Sequence, residues 1–183
     1  MKKIFFIPCI CFSFYCISQP YQSLFGDTST SWNNLKGNLW GLGTDSLVTD
    51  SDTVVNGLTY KKIIYYNLSG PEWNLMGFLR EDTTSGKAWY FMNIDTNERL
   101  IVDMGLTLDD TFMIYSPFLT GAAIVDSVYT ISGRKHIRLN IYVEFSNDTK
   151  LTFIEGIGTN AGIDYQTDYI DKSAAFLLCS HKN

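Results

Sequence analysis

Between Arg134 and Phe145 the chain alternates without interruption. Ile137, Leu139, Ile141, Val143 and Phe145 are apolar, and His136, Arg138, Asn140, Tyr142 and Glu144 lie between them. A period of two puts successive side chains on opposite faces of an extended chain, so this segment reads as a strand buried on one face only. No window of a dozen residues anywhere in the chain shows apolar side chains recurring at three and four, and the capping residues that would open such a helix are missing as well. A chain patterned this way has one route to a core, through sheets.

Turn chemistry divides the sequence into short strands. Thr53–Val55 and Leu58–Tyr66 flank Asn56-Gly57, a dipeptide that tolerates positive φ and closes a tight hairpin. Trp73–Asp82 and Lys87–Ile94 are β-branched and aromatic runs joined by Thr83-Thr84-Ser85-Gly86, and Asp95-Thr96-Asn97 turns the chain into Glu98–Met104. After Ser146-Asn147-Asp148-Thr149 the strand Lys150–Glu155 runs back along Arg134–Phe145. A two-residue loop at Asn147-Asp148 would set Glu155 opposite Asn140 and diagonal to Arg138. With no crossover helices to support parallel pairing, the expected fold is all-β: an antiparallel meander forming a curved sheet, an open barrel or a sandwich, with little helix. Aromatic residues make up 15% of the chain, which suits a curved sheet with bulky inward side chains.

Met1-Lys2-Lys3 followed by the apolar Ile4–Ile17 stretch reads as a secretory signal. Small residues at Cys16 and Ser18 place cleavage before Gln19, so residues 1–18 are the signal and 19–183 one β-rich domain. Cys16 makes a poor lipidation site because the bulky Tyr15 precedes it. No later segment approaches the ~20 apolar residues of a membrane helix, so no membrane insertion is expected after signal removal. Cys9, Cys11 and Cys16 leave with the signal. Cys179 then stands alone, without an internal disulfide, and is expected as a buried thiol, an intermolecular bridge, or the mark of a chain that once continued to a partner cysteine. The net charge of −5 falls further when Lys2 and Lys3 go, which argues against nucleic acid as a partner.

Four segments carry a resemblance when taken in order: Tyr21-Gln22-Ser23-Leu24-Phe25-Gly26 with Thr30-Ser31-Trp32-Asn33; Gly77-Phe78-Leu79-Arg80-Glu81-Asp82; Gly133-Arg134-Lys135-His136-Ile137; and Phe153-Ile154-Glu155-Gly156-Ile157-Gly158-Thr159-Asn160. Together they resemble the N-terminal module of uncharacterised secreted proteins of Bacteroidota, many of which carry a C-terminal sorting domain for type IX secretion. The resemblance spans residues 21 to 182 and implies an exported β-rich module, extracellular or at the cell surface. It implies no catalytic residues. Such proteins run on past the segment matching Leu177–Ser180 into a further strand and the sorting domain, whereas this sequence stops at Asn183. A truncated relative, a fragment of a longer reading frame and a periplasmic protein are the three readings of that difference.

Candidate chemistry is sparse. Arg134, His136 and Arg138 share one strand face, and with Glu155 they would suit an anionic or sugar ligand. A plain cross-strand ion pair, worth roughly 0.2–1 kcal/mol, is the preferred reading of the same residues. Glycoside hydrolysis needs two carboxylates facing one cleft. Glu81 and Asp82 point to opposite faces of a strand, and Glu81 with Glu155 is a pair the sequence alone does not select. Gly156-Ile157-Gly158-Thr159-Asn160-Ala161 matches a dinucleotide fingerprint but lacks the following helix that would hold the pyrophosphate, so it reads as a turn leaving a strand. Cys179 and His181 fall on one face of a terminal strand, a cheap arrangement for a dyad and a common one for a small buried thiol. Asp45, Asp50 and Asp52 do not match a calcium loop, no zinc spacing occurs, and no cofactor or metal is expected. Trp32, Trp40, Trp73 and Trp89 are expected mainly in the core.

These observations describe an exported noncatalytic β-domain, an interaction or structural module with an unknown protein or glycan partner. Arg138, His136, Glu155 and Glu81 are the candidate ligand-binding residues, and no catalytic residue is assigned. Two alternatives remain: a carbohydrate-active hydrolase using two carboxylates on a concave sheet, and a barrel carrying a small apolar ligand.

Overall fold

The computed structural model describes residues 21–38, 41–67, 73–95, 97–115, 120–143, 148–166 and 173–183. The signal sequence, Trp40, Glu144, Phe145 and the Ser146-Asn147 part of the expected turn therefore lie outside the described residues. Twelve strands and no helix are found among them. These are β1 (Thr30–Asn38), β2 (Gly41–Val55), β3 (Leu58–Asn67), β4 (Trp73–Asp82), β5 (Lys87–Met92), β6 (Arg99–Asp103), β7 (Thr111–Tyr115), β8 (Thr120–Ile131), β9 (Arg134–Tyr142), β10 (Lys150–Ile154), β11 (Gly158–Thr159) and β12 (Ser173–Lys182).

Two curled antiparallel sheets make up the fold. The larger has the order β12-β1-β2-β3-β4-β5-β6 and the smaller β11-β10-β9-β8-β7. Every neighbour is consecutive in sequence except β12, which returns to pair with β1. The meander follows from the turns. Asn56 and Gly57 adopt φ of 51° and 80°, and Ser132 and Gly133 adopt 50° and 76°, the pair of positive values that matches the twist of a two-residue hairpin. At the β4–β5 turn, Asp82 accepts hydrogen bonds from Thr84 N (2.9 Å) and Ser85 Oγ (2.6 Å), replacing ladder partners that the chain loses as it reverses.

The core lies between the sheets. Trp32, Leu47, Ile63, Leu79 and Tyr90 come from the larger sheet, and Phe112, Val125, Ile137, Leu139 and Phe153 from the smaller. The alternation read in Arg134–Phe145 is realised in β9, where Ile137 and Leu139 are fully buried and the side chains between them face outward. Gly77 is required where it stands: a Cβ there would lie 2.3 Å from Phe91 O and 2.6 Å from the Tyr90 hydroxyl, whose ring occupies that space.

Two expectations about register and burial are corrected. Lys150 pairs with Tyr142, but a bulge before Thr152 shifts the ladder, so that Thr152 faces Arg138 and Ile154 faces His136. Glu155 therefore sits beside Lys135 and not opposite Asn140. Lys150 already stands against Tyr142 where a two-residue loop would set it against Phe145, and two extra residues of β9 between Tyr142 and Arg138 then move every later pair; local sequence announces neither. Cys179, for which a buried thiol was one of three readings, is exposed. A register shift between Asn33/Asn34 and Cys179/Leu177 carries Leu178 outward to 54% exposure and leaves Cys179 beside Asn33 on the outer face.

Candidate functional site

Glu81 lies on β4 opposite the buried Ala88, at the end of the sheets where the chain enters. One of its oxygens accepts from the Tyr21 hydroxyl (2.6 Å) and Leu24 N (2.7 Å), and the other accepts from the Ser23 hydroxyl (2.6 Å). Glu155, in the turn after β10, accepts from Gln22 N and Lys135 N, both at 3.0 Å. Arg134 Nη1 donates to the Glu155 carbonyl (3.0 Å), and the Lys182 ammonium donates to the Ser23 carbonyl. The two acids thus fasten one short segment, Tyr21–Leu24, whose Leu24 side chain is wholly inside the core. Burial, the hydrogen bond to Glu81 and the nearby charge of Glu155 hold the Tyr21 phenol well above its ordinary range. Burial and the charge of Arg134 push the Lys182 ammonium down, against the pull of Glu81. The structure does bring Glu81 and Glu155 to the same segment, yet the oxygens that a glycosidase would present to substrate face donors of the protein's own chain.

His136 and Arg138 are elsewhere, on the outer face of the smaller sheet. His136 pairs with Tyr129 and Ile154 and stacks on the Tyr129 ring, with centroids 5.1 Å apart and planes at 18°. Arg138 Nε donates to Asp126 Oδ1 at 2.7 Å, and Lys150 Nζ takes the other oxygen of the same carboxylate. Asp126 is therefore the partner that Glu155 was expected to be. It sits in a register shift between Val125 and Ser127, where an inserted residue re-aims its side chain. That break in the alternation of β8 is the one sequence signal that could have found it. Burial works to raise the Asp126 pKa, but the hydrogen bonds from Lys150 and Arg138 prevail and lower it. The same pairing raises that of Arg138. His136 is lowered by burial and by the charge of Arg134. The row continues with Asn140, whose Oδ1 accepts from Ile124 N (2.8 Å), and with Tyr142, which lies 6.0 Å under the Lys150 ammonium and is 52% exposed.

The remaining candidates resolve structurally. Gly156 has φ of 71° in the turn between β10 and β11, Gly158 opens β11 with φ of 114°, and the Ile157 carbonyl between them accepts from Trp32 Nε1 (2.6 Å). No helix follows among the described residues. Asp45, Asp50 and Asp52 all lie on β2. Asp45 is buried and accepts from the Tyr65 hydroxyl (2.7 Å), whereas Asp52 is exposed and pairs with Lys61 (2.7 Å). No three His, Cys, Asp or Glu side chains among the described residues are placed to hold a metal. Cys179 Sγ accepts from Asn33 Nδ2 (3.2 Å), while His181 Nε2 is joined to Asn183 Oδ1 (2.7 Å), so each exposed side chain is taken by an asparagine. Trp32 is core, and Trp89 lies 3.8 Å beneath the Arg80 guanidinium, which Glu98 clamps with two 2.6 Å hydrogen bonds. Sequence reasoning did not reach the buried Lys36–Asp164 ion pair (2.5 Å), which joins β1 to the segment after β11.

No family model matches the chain, and comparison with curated proteins and with solved structures gives no match either.

Proposed function

We propose that this chain is an exported, noncatalytic β-domain, akin to the N-terminal module of secreted Bacteroidota proteins that it resembles, and that it acts through its surface as an interaction or structural module. The observation that carries this reading is the use made of Glu81 and Glu155. Five donors of the folded chain surround their oxygens, four of them from Tyr21–Leu24, and a general acid or nucleophile must instead have an oxygen open to its substrate. The apolar-carrier alternative is disfavoured by Trp32, Tyr90 and Phe153, whose fully buried rings occupy the space between the sheets.

The test is a hydrolysis screen over neutral and acidic glycans with the wild-type protein, Glu81→Gln and Glu155→Gln. The expected outcome is no release of reducing ends by any of the three, with lowered melting temperatures in the two variants. Turnover that disappears in Glu155→Gln while its melting temperature stays at the wild-type value would replace this reading with the hydrolase. Export is tested separately by the mass of the protein recovered from the producing cells, which should begin at Gln19.

A further inference from the structure

The Lys36–Asp164 pair is an unusual use of two charges, because apolar side chains of similar volume would hold the two elements together as well or better. Both side chains are almost wholly inside, and the ammonium stands 2.5 Å from Oδ2. At that separation the carboxyl carbon, one C–O bond further on, lies roughly 3–3.5 Å from the nitrogen, the spacing of a near-attack pair. The surroundings are polar in a way that an ion pair does not need. Lys36 faces inward from β1 with Asn34 two residues before it, and Asp45 of β2 pairs with Asn34, diagonal to Lys36 on the same face. Asp45 is buried and accepts from the Tyr65 hydroxyl. Burial, that hydrogen bond and the charges of Asp45 and Asp164 hold the Tyr65 phenol above its ordinary range against the pull of Lys36, so the four side chains meet in one place. The Asn34 amide is fully buried, and neither its nitrogen nor its oxygen has a hydrogen-bond partner among the described residues. It lies against Gly162, where a Cβ would come within 2.7 Å of Nδ2, and so against the segment that carries Asp164. A buried amide left without partners calls for a chemical role or an occupant.

We propose that Lys36 and Asp164 join in an intramolecular amide bond, with Asp45 relaying the proton and Asn34 supporting the intermediate. A proton passing along the short hydrogen bond turns ammonium and carboxylate into amine and carboxylic acid. The Lys36 Nζ lone pair attacks Cγ of Asp164, a C–N bond forms and one C–O bond breaks. The oxygen leaves as water, taking the acid proton and one proton of the amine, and nothing is oxidised or reduced. Asp45 carries the amine proton to the departing oxygen, and Asn34 Nδ2 donates to the carbonyl oxygen while it is negative. The bond ties β1 to the segment after β11, between residues 128 apart, in a chain whose Cys179 is free. A covalent tie across so long a loop removes conformations from the unfolded chain, as a disulfide does. It forms once per chain and takes no external substrate, so it stands apart from the noncatalytic function proposed above.

The test is the mass of the purified full chain under denaturing conditions, followed by tryptic mapping. The wild-type protein should weigh about 18 Da less than the sequence from its own N-terminus, the mass of one water, and should yield a branched peptide joining Lys36 to Asp164. Lys36→Arg and Asp164→Ala should weigh what their sequences require. Asp164→Asn should still close, losing ammonia in place of water, and give the same branched peptide. Asp45→Ala should keep the strand signature in circular dichroism while most molecules stay unreacted. A wild-type mass at its full value, or a lost water that maps elsewhere than Lys36 and Asp164, overturns the bond and leaves a plain buried ion pair. Complete closure in Asp45→Ala overturns the relay. The wild-type measurement decides the bond without requiring any variant to fold.

Discussion

If Glu81 is an anchor, its removal must cost stability in proportion to the donors it leaves. It receives three: the Tyr21 and Ser23 hydroxyls and the Leu24 amide, all between 2.6 and 2.7 Å. Hydrogen bonds to an ionised group contribute roughly 1.5–3 kcal/mol each against roughly 0.5–1.5 for neutral ones. Glutamine keeps one acceptor oxygen and lets the Ser23 hydroxyl rotate to accept, so Glu81→Gln loses mainly the charge assistance. All three bonds are only part-buried, and the combined loss should come to about 1–2 kcal/mol. Alanine strands all three donors, of which the Leu24 amide is the one tied to a fully buried side chain. Glu81→Ala should therefore cost about 2–4 kcal/mol, and because the three bonds belong to one segment the single losses will not add. Urea denaturation should show the midpoint falling in the order wild type, Gln, Ala with an unchanged slope. A double-mutant cycle with Ser23→Ala should return a coupling of about 1 kcal/mol. Both variants falling within about 0.5 kcal/mol of wild type would refute the anchoring role and reopen Glu81 as a functional acid.

Four further outcomes are expected. The Asp82 pKa is lowered by Ser85 and Thr84, that of Asp110 by the amide and hydroxyl of Thr107, and that of Asp126 by Lys150 and Arg138. A depressed carboxylate stabilises the fold above its unfolded value near pH 4 and loses that contribution as pH falls through the folded pKa, so the melting temperature should decline on acidification below about pH 4. His136 is also depressed, so protonating it opposes folding, and a smaller rise in melting temperature should complete near pH 6.5 and vanish in His136→Gln. Gly77→Ala must displace Phe91 O or the Tyr90 ring and should cost about 1–3 kcal/mol by chemical denaturation, whereas Gly121→Ala, with nothing within 4 Å, should be near neutral. Lys36 and Asp164 have side-chain exposures of 6% and 1%, so truncating either alone should cost about 3–5 kcal/mol, and the apolar double substitution Lys36→Met with Asp164→Leu should recover part of it.

What the sequence disclosed and what it withheld divide by range. Asn56-Gly57 determines its hairpin because the positive φ values it needs are a property of those two residues. The burial of Ile137 and Leu139 follows from a period that any half-buried strand must show. The partners of Glu155 follow no local rule. Its carboxylate meets Gln22, 133 residues earlier in the chain, and it does so because the Lys150–Tyr142 pairing and a bulge in β9 slid the ladder away from Arg138. Asp126 was hidden in the same way, since a strand that breaks its own alternation looks from sequence like a strand ending. The candidates His136 and Arg138 were legible as a shared outward face. Their carboxylate partner was not, because choosing among acids requires the register.

The pairing of β1 with β12 has a consequence for how this fold is reached. Thr30 lies against Lys182 and Ser31 against His181, the Asn183 carbonyl accepts from Thr28 N (2.8 Å), and Asn183 N donates to the Ser29 carbonyl (3.0 Å). Closing a loop of about 150 residues costs on the order of 2 kcal/mol more in chain entropy than closing a ten-residue hairpin, so this contact is among the last that a folding chain can profitably make. The Tyr21–Leu24 anchor depends on it directly, since Lys182 holds the Ser23 carbonyl while Glu81 and Glu155 hold the segment from the sheets. The larger sheet thus lacks β12, and Tyr21–Leu24 its contact with Lys182, until this pairing forms. The pairing of β1 with β12 is therefore expected to follow the local hairpins, an order that comes from topology alone, without any residue dedicated to it.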